Sequence, residues 1–222
     1  MPESWNSTDK FNREALLWDE DPRRRKLAHA AARAITPHAG GLKTVNALEF
    51  GCGTGLISLE IAPLVVKLKA LDTSPEMLAV LQHKTEVAGL KNIDTACLDL
   101  SADGSGEGAG GLFGLIYGSM ALHHIDDTGG FLMRLSELLA PGGTIAIVDL
   151  EEEDGTFHDD PREKVHHGFE RTKLAGLLES AGLLNPFFES VCRIEKPNSE
   201  GKLSSYPVFI VTAKKPGTAS TP

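Results

Sequence analysis

The sequence predicts an α/β fold: a doubly wound, mostly parallel seven-stranded sheet with helices on both faces and a late antiparallel hairpin. From residue 45 onward, short apolar runs alternate with helical patterns, which is typical of parallel sheets built from β-α units. A glycine-rich turn, Gly51, Gly53 and Gly55, directly follows the first apolar run. The last two apolar runs are joined by the polar loop 197–205 with no helix between them, which indicates the hairpin.

The length and composition indicate one domain. The chain has 222 residues, of which 41% are hydrophobic, and this is enough to build one sizeable core. We expect residues 1–42 to form an N-terminal leader and a first helix, and residues 43–215 to form a Rossmann-like core. Residues 216–222 are small and polar, so we expect a disordered tail.

Charge and cysteine usage exclude several classes of function. The net charge is −9 and the pI is about 5.4, which is the wrong balance for a protein that binds a nucleic-acid backbone. The three cysteines are widely spaced, which favours a reducing compartment and argues against a zinc site. The sequence contains neither an apolar membrane span nor a secretion signal. We therefore expect a soluble cytoplasmic protein with no membrane partner; nothing in the sequence predicts an oligomeric state.

The local signals place each element along the chain. In order, we expect helices at residues 22–35, 56–64, 75–88, 126–139 and 165–182, and strands at residues 45–50, 65–71, 93–98, 112–118, 144–148, 187–195 and 206–214. Pro22 and Pro75 suit a first helical turn, and Gly89 suits a helix C-terminus. We expect loops at 36–41 and 140–143, and a flexible loop at 101–111, which holds five glycines.

The glycine turn narrows the choice of cofactor. A dinucleotide fingerprint requires Gly or Ala five residues after Gly51, and this chain has Leu56 there. A nicotinamide oxidoreductase is therefore disfavoured. A phosphate-binding P-loop is excluded because no lysine follows the turn.

Several motifs resemble those of one enzyme family. The spacing of Glu49, Gly51, Gly53 and Gly55 resembles the first motif of the class I S-adenosylmethionine-dependent methyltransferases, in particular their type 11/12-like small-molecule subgroup. The segment from Asp72 to Met77 resembles the D-x-S-x-x-M motif of that family, and the resemblance covers about residues 45–150. It implies a methyltransferase that uses S-adenosyl-L-methionine and releases S-adenosyl-L-homocysteine.

The sequence departs from the family pattern at two places. Gly114 replaces the acid of the usual F-D-x-I strand, and Ala140 replaces the basic residue of the usual K-P-G-G turn. The missing acid leaves open a non-catalytic cofactor-binding or scaffolding subunit. A protein-directed methyltransferase is a further alternative.

The resemblance and the strand ends together supply cofactor-binding candidates. Asp72 ends the second strand, where its carboxylate can accept both ribose hydroxyls; capping the next helix is its alternative role. The family places an acid at Asp99 against the adenine amino group, although this residue could instead begin a turn. Asp149 and Ser119 also fall at predicted strand ends. The candidates are Glu49, Gly51, Cys52, Gly53, Gly55, Asp72, Thr73, Met77, Asp99, Leu100 and Ser119.

Histidines are the candidates for catalysis. The sulfonium is already an activated methyl donor, so the protein needs a general base only if the acceptor arrives protonated. His124 and His167 are the candidates for this base, together with His123, and each could instead be a core or surface histidine. The adjacent histidine pairs lack a clear third ligand, so we expect no metal.

Two further segments carry alternatives that the sequence leaves open. Trp18, in a leader that resembles the one folded over the cofactor in a methyltransferase subgroup, is either a lid residue or a helix-packing anchor. Residues 149–163 hold eight acids against Arg162, and they are either a negative rim at the acceptor entrance or a solvated loop. The rim interpretation predicts a small neutral or amine-bearing acceptor.

Overall fold

The computed structural model describes residues 8–39, 44–102, 106–158, 160, 163–198 and 200–218, with side chains at 106 and 107 excepted. The strands are β1 Asn46–Phe50, β2 Lys67–Asp72, β3 Ile93–Cys97, β4 Phe113–Ser119, β5 Leu139–Leu150, β6 Leu184–Pro197 and β7 Leu203–Lys214. The α-helices are α1 Asp9–Glu14, α2 Pro22–Ile35, α3 Ser58–Ile61, α4 Pro75–Ala88, α5 Gly106–Ala109, α6 Thr128–Leu138 and α7 Arg171–Ser180. Short 3-10 helices follow α1, α2 and α3, and another precedes α6.

The strands form one seven-stranded sheet in the order β3-β2-β1-β4-β5-β7-β6. Strands β1 to β5 are parallel, whereas β7 is antiparallel to both β5 and β6. The predicted fold class, including the late hairpin, is confirmed. The strand order reverses between β1 and β4, so the crevice outside their carboxyl ends is where this architecture binds ligands.

Side chains alternate between the two faces of the sheet and build a core on each. Leu48 and Ile116 point to the face covered by α6 and α7, and Leu115 and Tyr117 point to the face covered by α2. On the second face, α2 contributes mainly small side chains, namely Ala28, Ala31, Ala32 and Ile35. These alanines let α2 lie close to the sheet.

The predicted helix boundaries around α2 and α4 are confirmed. Pro22 and Pro75 are the first helical residues, and Ser74 Oγ accepts a hydrogen bond from the Met77 amide (3.1 Å). Gly89 ends α4 with a φ of 66°, a left-handed conformation that glycine adopts at little cost.

Two local predictions are wrong. Residues 140–143 were predicted as a turn but lie inside β5, where the register against β4 shifts. The main chain explains this, because the Gly142 amide donates to the carbonyl of Lys215, and the Lys215 amide donates to the carbonyl of Gly143. These bonds hold the glycines against the end of β7.

The last helix begins at Arg171 rather than at residue 165. The amides of His166 and Phe169 donate to the carbonyls of His123 and Leu150, so this stretch runs along the end of β5. Glu170 then caps α7 by accepting the amides of Thr172 and Lys173.

Other predictions fall partly outside the described residues. The glycine-rich loop 101–111 contains α5, but residues 103–105 are not described. Residues 40 and 41 of the first loop and residues 219–222 of the predicted tail also lie outside the described residues. Among the residues that are described, none of the helices combines the length and the apolar character needed to cross a bilayer.

Candidate functional site

A cavity lies at the carboxyl ends of β1 to β4, at the point where the strand order reverses. It encloses about 1170 Å³ of empty space, its mouth included. Ten of the eleven predicted cofactor residues line it: Glu49, Gly51, Cys52, Gly53, Asp72, Thr73, Met77, Asp99, Leu100 and Ser119. The fold therefore gathers side chains from four strand ends around one space.

The three glycines of the turn have different surroundings. A Cβ at Gly51 would overlap Ala121, and one at Gly55 would overlap Leu81. A Cβ at Gly53 would meet no atom within 4 Å, because this glycine faces the cavity. Of the three, only Gly53 has open space on the side where a Cβ would stand. Gly55 does not line the cavity, and its small size serves packing against α4.

Asp72 connects the glycine turn to α4. Its Oδ2 accepts the Gly53 amide (2.7 Å), and its Oδ1 accepts the Ser74 amide (2.9 Å). Burial raises the pKa of Asp72 despite these bonds. The side chain that caps α4 is Ser74 rather than Asp72, so the carboxylate retains lone pairs that can accept from a ligand.

Glu49 lies almost completely buried at the base of the cavity. Its Oε2 accepts hydrogen bonds from Ser58 Oγ (2.5 Å) and Tyr117 OH (3.0 Å). Burial raises the pKa of Glu49 to about 8, although both hydroxyl donors oppose this shift. A cation placed next to this carboxyl would stabilise its ionised form.

Asp99 lies in the cavity wall and also begins a turn. It lines the cavity, and its Oδ1 accepts the amide and the hydroxyl of Ser101 (2.8 and 2.5 Å), which forms a local turn. Met77 and Leu100 beside it supply buried apolar surface.

The leader covers part of the cavity. Phe11 and Trp18 both line it, with ring centroids 5.7 Å apart, and the Arg24 guanidinium lies 3.5 Å from the centre of the Trp18 ring. The sequence drew attention to Trp18 but not to Phe11. The available signal was the seven-residue spacing of Phe11 and Trp18, which in a helix puts both rings on the same face, and α1 itself was not predicted.

Polar contacts fasten the leader to the core at three places. Ser74 Oγ donates to Asn12 Oδ1 (2.6 Å), and Thr54 Oγ1 donates to Asp19 Oδ1 (2.5 Å). Lys84 forms an ion pair with Asp19 Oδ2 (2.5 Å), and Lys10 forms one with Glu163 Oε1 (2.5 Å). The leader therefore contacts the glycine turn, α4 and the acidic segment together.

The two predicted catalytic histidines are separated by the fold. His124 lines the cavity and meets Phe11 edge to face, with centroids 5.4 Å apart. His167 is exposed and does not line the cavity, because its backbone pairs with Glu153 in the extended stretch before α7. We therefore withdraw His167 as a catalytic candidate.

Asp149 is also placed differently from the prediction. Strand β5 continues to Leu150, and Asp149 is 0% exposed and does not line the cavity. Its Oδ1 lies 2.7 Å from Nδ1 of His123, which is itself buried. His158, which the sequence did not indicate, lies with its ring centroid 5.2 Å from that of His123 and 5.7 Å from that of His124.

Several carboxylates of the acidic segment, residues 149–163, contact other groups of the protein. Glu151 pairs with Arg171, Glu152 with Lys173, and Glu163 with Lys10. Glu153 and Asp154 accept backbone amides at Thr156. Among the described side chains, three of the eight acids thus pair with cations, which reduces the predicted negative rim without removing it. Within the described ranges, no group of three or more His, Cys, Asp and Glu residues is arranged to hold a metal ion.

The position of Gly114 explains its departure from the family pattern. A Cβ there would come within 2.7 Å of Val45 Cβ. An aspartate therefore does not fit at this point of β4 without displacing the residue before β1.

Comparison with known proteins agrees with this geometry. A family model described as a methyltransferase domain matches residues 48–145. An uncharacterised methyltransferase of Schizosaccharomyces pombe is 33% identical over 153 residues, which cover 64% of this chain and 54% of that protein. A ubiquinone biosynthesis O-methyltransferase of Azorhizobium caulinodans is 28% identical over 127 residues, covering 57% and 47% respectively.

The solved structures extend the match to the whole fold. N-methyltransferase NodS from Bradyrhizobium japonicum, crystallised with S-adenosyl-L-homocysteine, superposes with a TM-score of 0.70 at 18% identity, covering 95% of this chain and 99% of NodS. The match over residues 48–145 is to a methyltransferase domain, and the likeness to NodS shows that the two chains share a fold. The chain spans about half the length of the curated relatives it matches.

The open side of Gly53 yields a first prediction. In Gly53→Ala the new methyl group would enter the cavity, and we expect the affinity for S-adenosyl-L-homocysteine, measured by calorimetry, to fall about tenfold or more. Gly89→Ala is the matched control, because Gly89 also has a positive φ and open space around its Cβ but lies at the end of α4. Equal affinities in the two variants would contradict the placement of the ligand at Gly53.

The buried carboxyl of Glu49 yields a second prediction. The unfolded chain loses this proton above about pH 4.5, whereas the folded protein retains it up to about pH 8. Between these values the folded state binds more protons, so the stability that Glu49 contributes falls as pH rises. Glu49→Gln, which cannot ionise, should therefore raise the melting temperature of the ligand-free protein by an amount that grows from pH 4.5 to pH 8.

The control for this experiment is Glu86→Gln, which alters an exposed carboxylate on α4. Its melting temperature should follow that of the parent protein across the same pH range. A Glu49→Gln curve parallel to the parent curve would show that Glu49 is ionised in the folded state.

Proposed function

We propose that this chain transfers a methyl group from S-adenosyl-L-methionine to a small-molecule acceptor by in-line displacement. The observation that carries the proposal is the cavity at the point where the strand order reverses. Gly53, Asp72 and Asp99 line it together with His124. A nucleoside cradle and a titratable side chain thus share one space that the leader covers.

Each part of the cofactor has a matching group in the cavity. The Asp72 carboxylate would accept the ribose hydroxyls, and Asp99 would accept the adenine amino group between Met77 and Leu100. The bare backbone at Gly53 would admit the aliphatic arm, and the buried Glu49 would balance its ammonium group. The fit is supported by the open side of Gly53, which a Cβ would fill.

His124 is the proposed general base. Burial lowers its pKa well below the ordinary 6.5, and the neighbouring His123, His158 and Lys10 lower it further. The ring is therefore neutral at pH 7 and carries a lone pair that can take a proton. Bound S-adenosyl-L-methionine would supply the electrophilic methyl group, so the chain itself must orient the acceptor and exclude water.

The surroundings of His124 favour an uncharged acceptor. Phe11, Ile125 and Phe131 line the cavity with it, and a charged acceptor would have to shed water to enter such a space. Because three acids of the acidic segment pair with cations, its support for an amine-bearing acceptor over a neutral one is weaker. The activity in the name of the Azorhizobium relative, O-methylation in ubiquinone biosynthesis, is in keeping with a small acceptor.

The alternative of a non-catalytic subunit loses its main support. It rested on the missing acid at position 114, and the contact between Gly114 and Val45 gives that residue a packing reason. We therefore retain methyl transfer as the proposed function.

The proposal is tested by a screen for release of S-adenosyl-L-homocysteine with neutral, cationic and anionic small molecules, at low and moderate salt. We expect turnover on a neutral acceptor. Asp72→Ala should weaken S-adenosyl-L-methionine binding by ~1–3 kcal/mol, because charge-assisted hydrogen bonds are lost. Asp94→Ala is its control, since Asp94 lies on β3 and pairs with Lys67 and Lys69.

His124→Gln separates the base from the cofactor site in the same assay. It should lower kcat while leaving the affinity for S-adenosyl-L-methionine near that of the parent, and His83→Gln, an exposed change on α4, should alter neither. Wild-type affinity in Asp72→Ala, or no turnover with any acceptor by a protein that binds the cofactor, would refute the proposal.

A further inference from the structure

A cluster of three histidine rings lies behind the cavity wall. The ring of His123 has its centroid 4.3 Å from that of His124 and 5.2 Å from that of His158. His124 lines the cavity, whereas His123 and His158 do not. Only His124 of the three can therefore contact a ligand, and the other two histidines can act only through His124.

Carboxylates fix the two rear histidines in one orientation. Asp149 Oδ1 lies 2.7 Å from His123 Nδ1, and Glu163 Oε2 lies 2.8 Å from His158 Nδ1. A neutral imidazole that donates from Nδ1 has its lone pair on Nε2. Burial lowers the pKa of His158, so Glu163 at Nδ1 makes the opposite nitrogen, Nε2, an acceptor.

The Nε2 atom of His158 has an unusual environment. It is buried, and no hydrogen-bond partner for it is found in the part of the chain that the structure describes. Leaving such a group unpaired costs ~1–3 kcal/mol, so its retention calls for a reason. The neighbouring His124 supplies one, because a proton taken up there would create a donor and a positive charge beside this lone pair.

The leader reaches the same cluster from the other side. Lys10 Nζ donates to Glu163 Oε1 (2.5 Å), so one carboxylate bonds to both Lys10 and His158. Phe11, the next residue, packs against His124. The docked leader therefore places a cation and an aromatic ring on a cluster to which, among the described residues, Asp149 and Glu163 contribute carboxylates.

We propose that His158 is a positioning residue for His124. Glu163 holds His158 and Lys10 holds Glu163, so docking of the leader and proton uptake at His124 are linked. The inference rests on the proposed function. In the step it supports, the acceptor proton passes to the lone pair of a His124 ring nitrogen. The electron pair of the acceptor's broken bond forms the new bond to methyl, and the electron pair of the carbon–sulfur bond stays on sulfur.

The charges predict opposite effects for two substitutions. Glu163→Gln removes the carboxylate and leaves the Lys10 charge uncompensated, which disfavours a protonated His124. Lys10→Met removes a cation that now lowers the pKa of His124 and of His158, which favours protonation. A merely structural role for the cluster would not produce shifts of opposite sign.

The experiment is a pH titration of the histidine ring signals by NMR on the full chain saturated with S-adenosyl-L-homocysteine, with His124→Gln used for assignment. We expect the protonation midpoint of His124 to move down in Glu163→Gln and up in Lys10→Met, by about half a unit or more each. His158 should show the Nδ1-protonated tautomer in the parent protein and lose it in Glu163→Gln. Glu60→Gln is the control, since Glu60 bonds to the exposed His29, and it should leave His124 unchanged.

An identical His124 midpoint in the parent, Glu163→Gln and Lys10→Met would overturn the proposal, as would an Nε2-protonated His158. If Glu163→Gln does not fold, His158→Gln takes its place and must shift the His124 midpoint for the proposal to stand. Calorimetry with S-adenosyl-L-homocysteine is run on each variant. If the parent protein does not bind S-adenosyl-L-homocysteine, the proposed function is refuted. If it binds but the protonation midpoint of His124 is the same in all variants, only the role of His158 is refuted.

Discussion

The cavity depends on one hydrogen-bonded connection, from the Gly53 amide to the carboxylate of Asp72. Because the second oxygen of Asp72 holds the Ser74 amide, a single side chain fixes the turn after β1 to the start of α4. Burial raises the pKa of this carboxyl, so the backbone amides offset part of the cost of holding it out of water. The same bonds keep the bare backbone of Gly53 facing the cavity.

The leader and the histidine cluster are built around that fixed point. Asn12 contacts Ser74, and Asp19 contacts Thr54 and Lys84, so the leader is fastened to residues that the turn itself positions. Beyond the turn, the leader reaches Glu163 through Lys10. The proposed cofactor site, the leader that covers it and the proposed base are thus joined by short polar contacts.

The sequence predicted the sheet and most of the residues gathered at the cavity because these follow from local signals: apolar runs, a glycine turn, and acids at strand ends. It could not predict that Asp149 turns inward, because the partner His123 lies on a different element and reaches it only through tertiary packing. Phe11 and His158 were missed for the same reason, since each acts through residues far along the chain. His167 was misplaced because His167 and Phe169 pair with the backbone at and just after the end of β5 instead of beginning a helix.

The most direct test of the account is a crystal structure of the protein grown with S-adenosyl-L-homocysteine. The account predicts both ribose hydroxyls within about 3 Å of the Asp72 carboxylate oxygens, and the amino-acid arm lying over Gly53. A ligand bound elsewhere, or one in this cavity whose ribose lies away from Asp72, would contradict it.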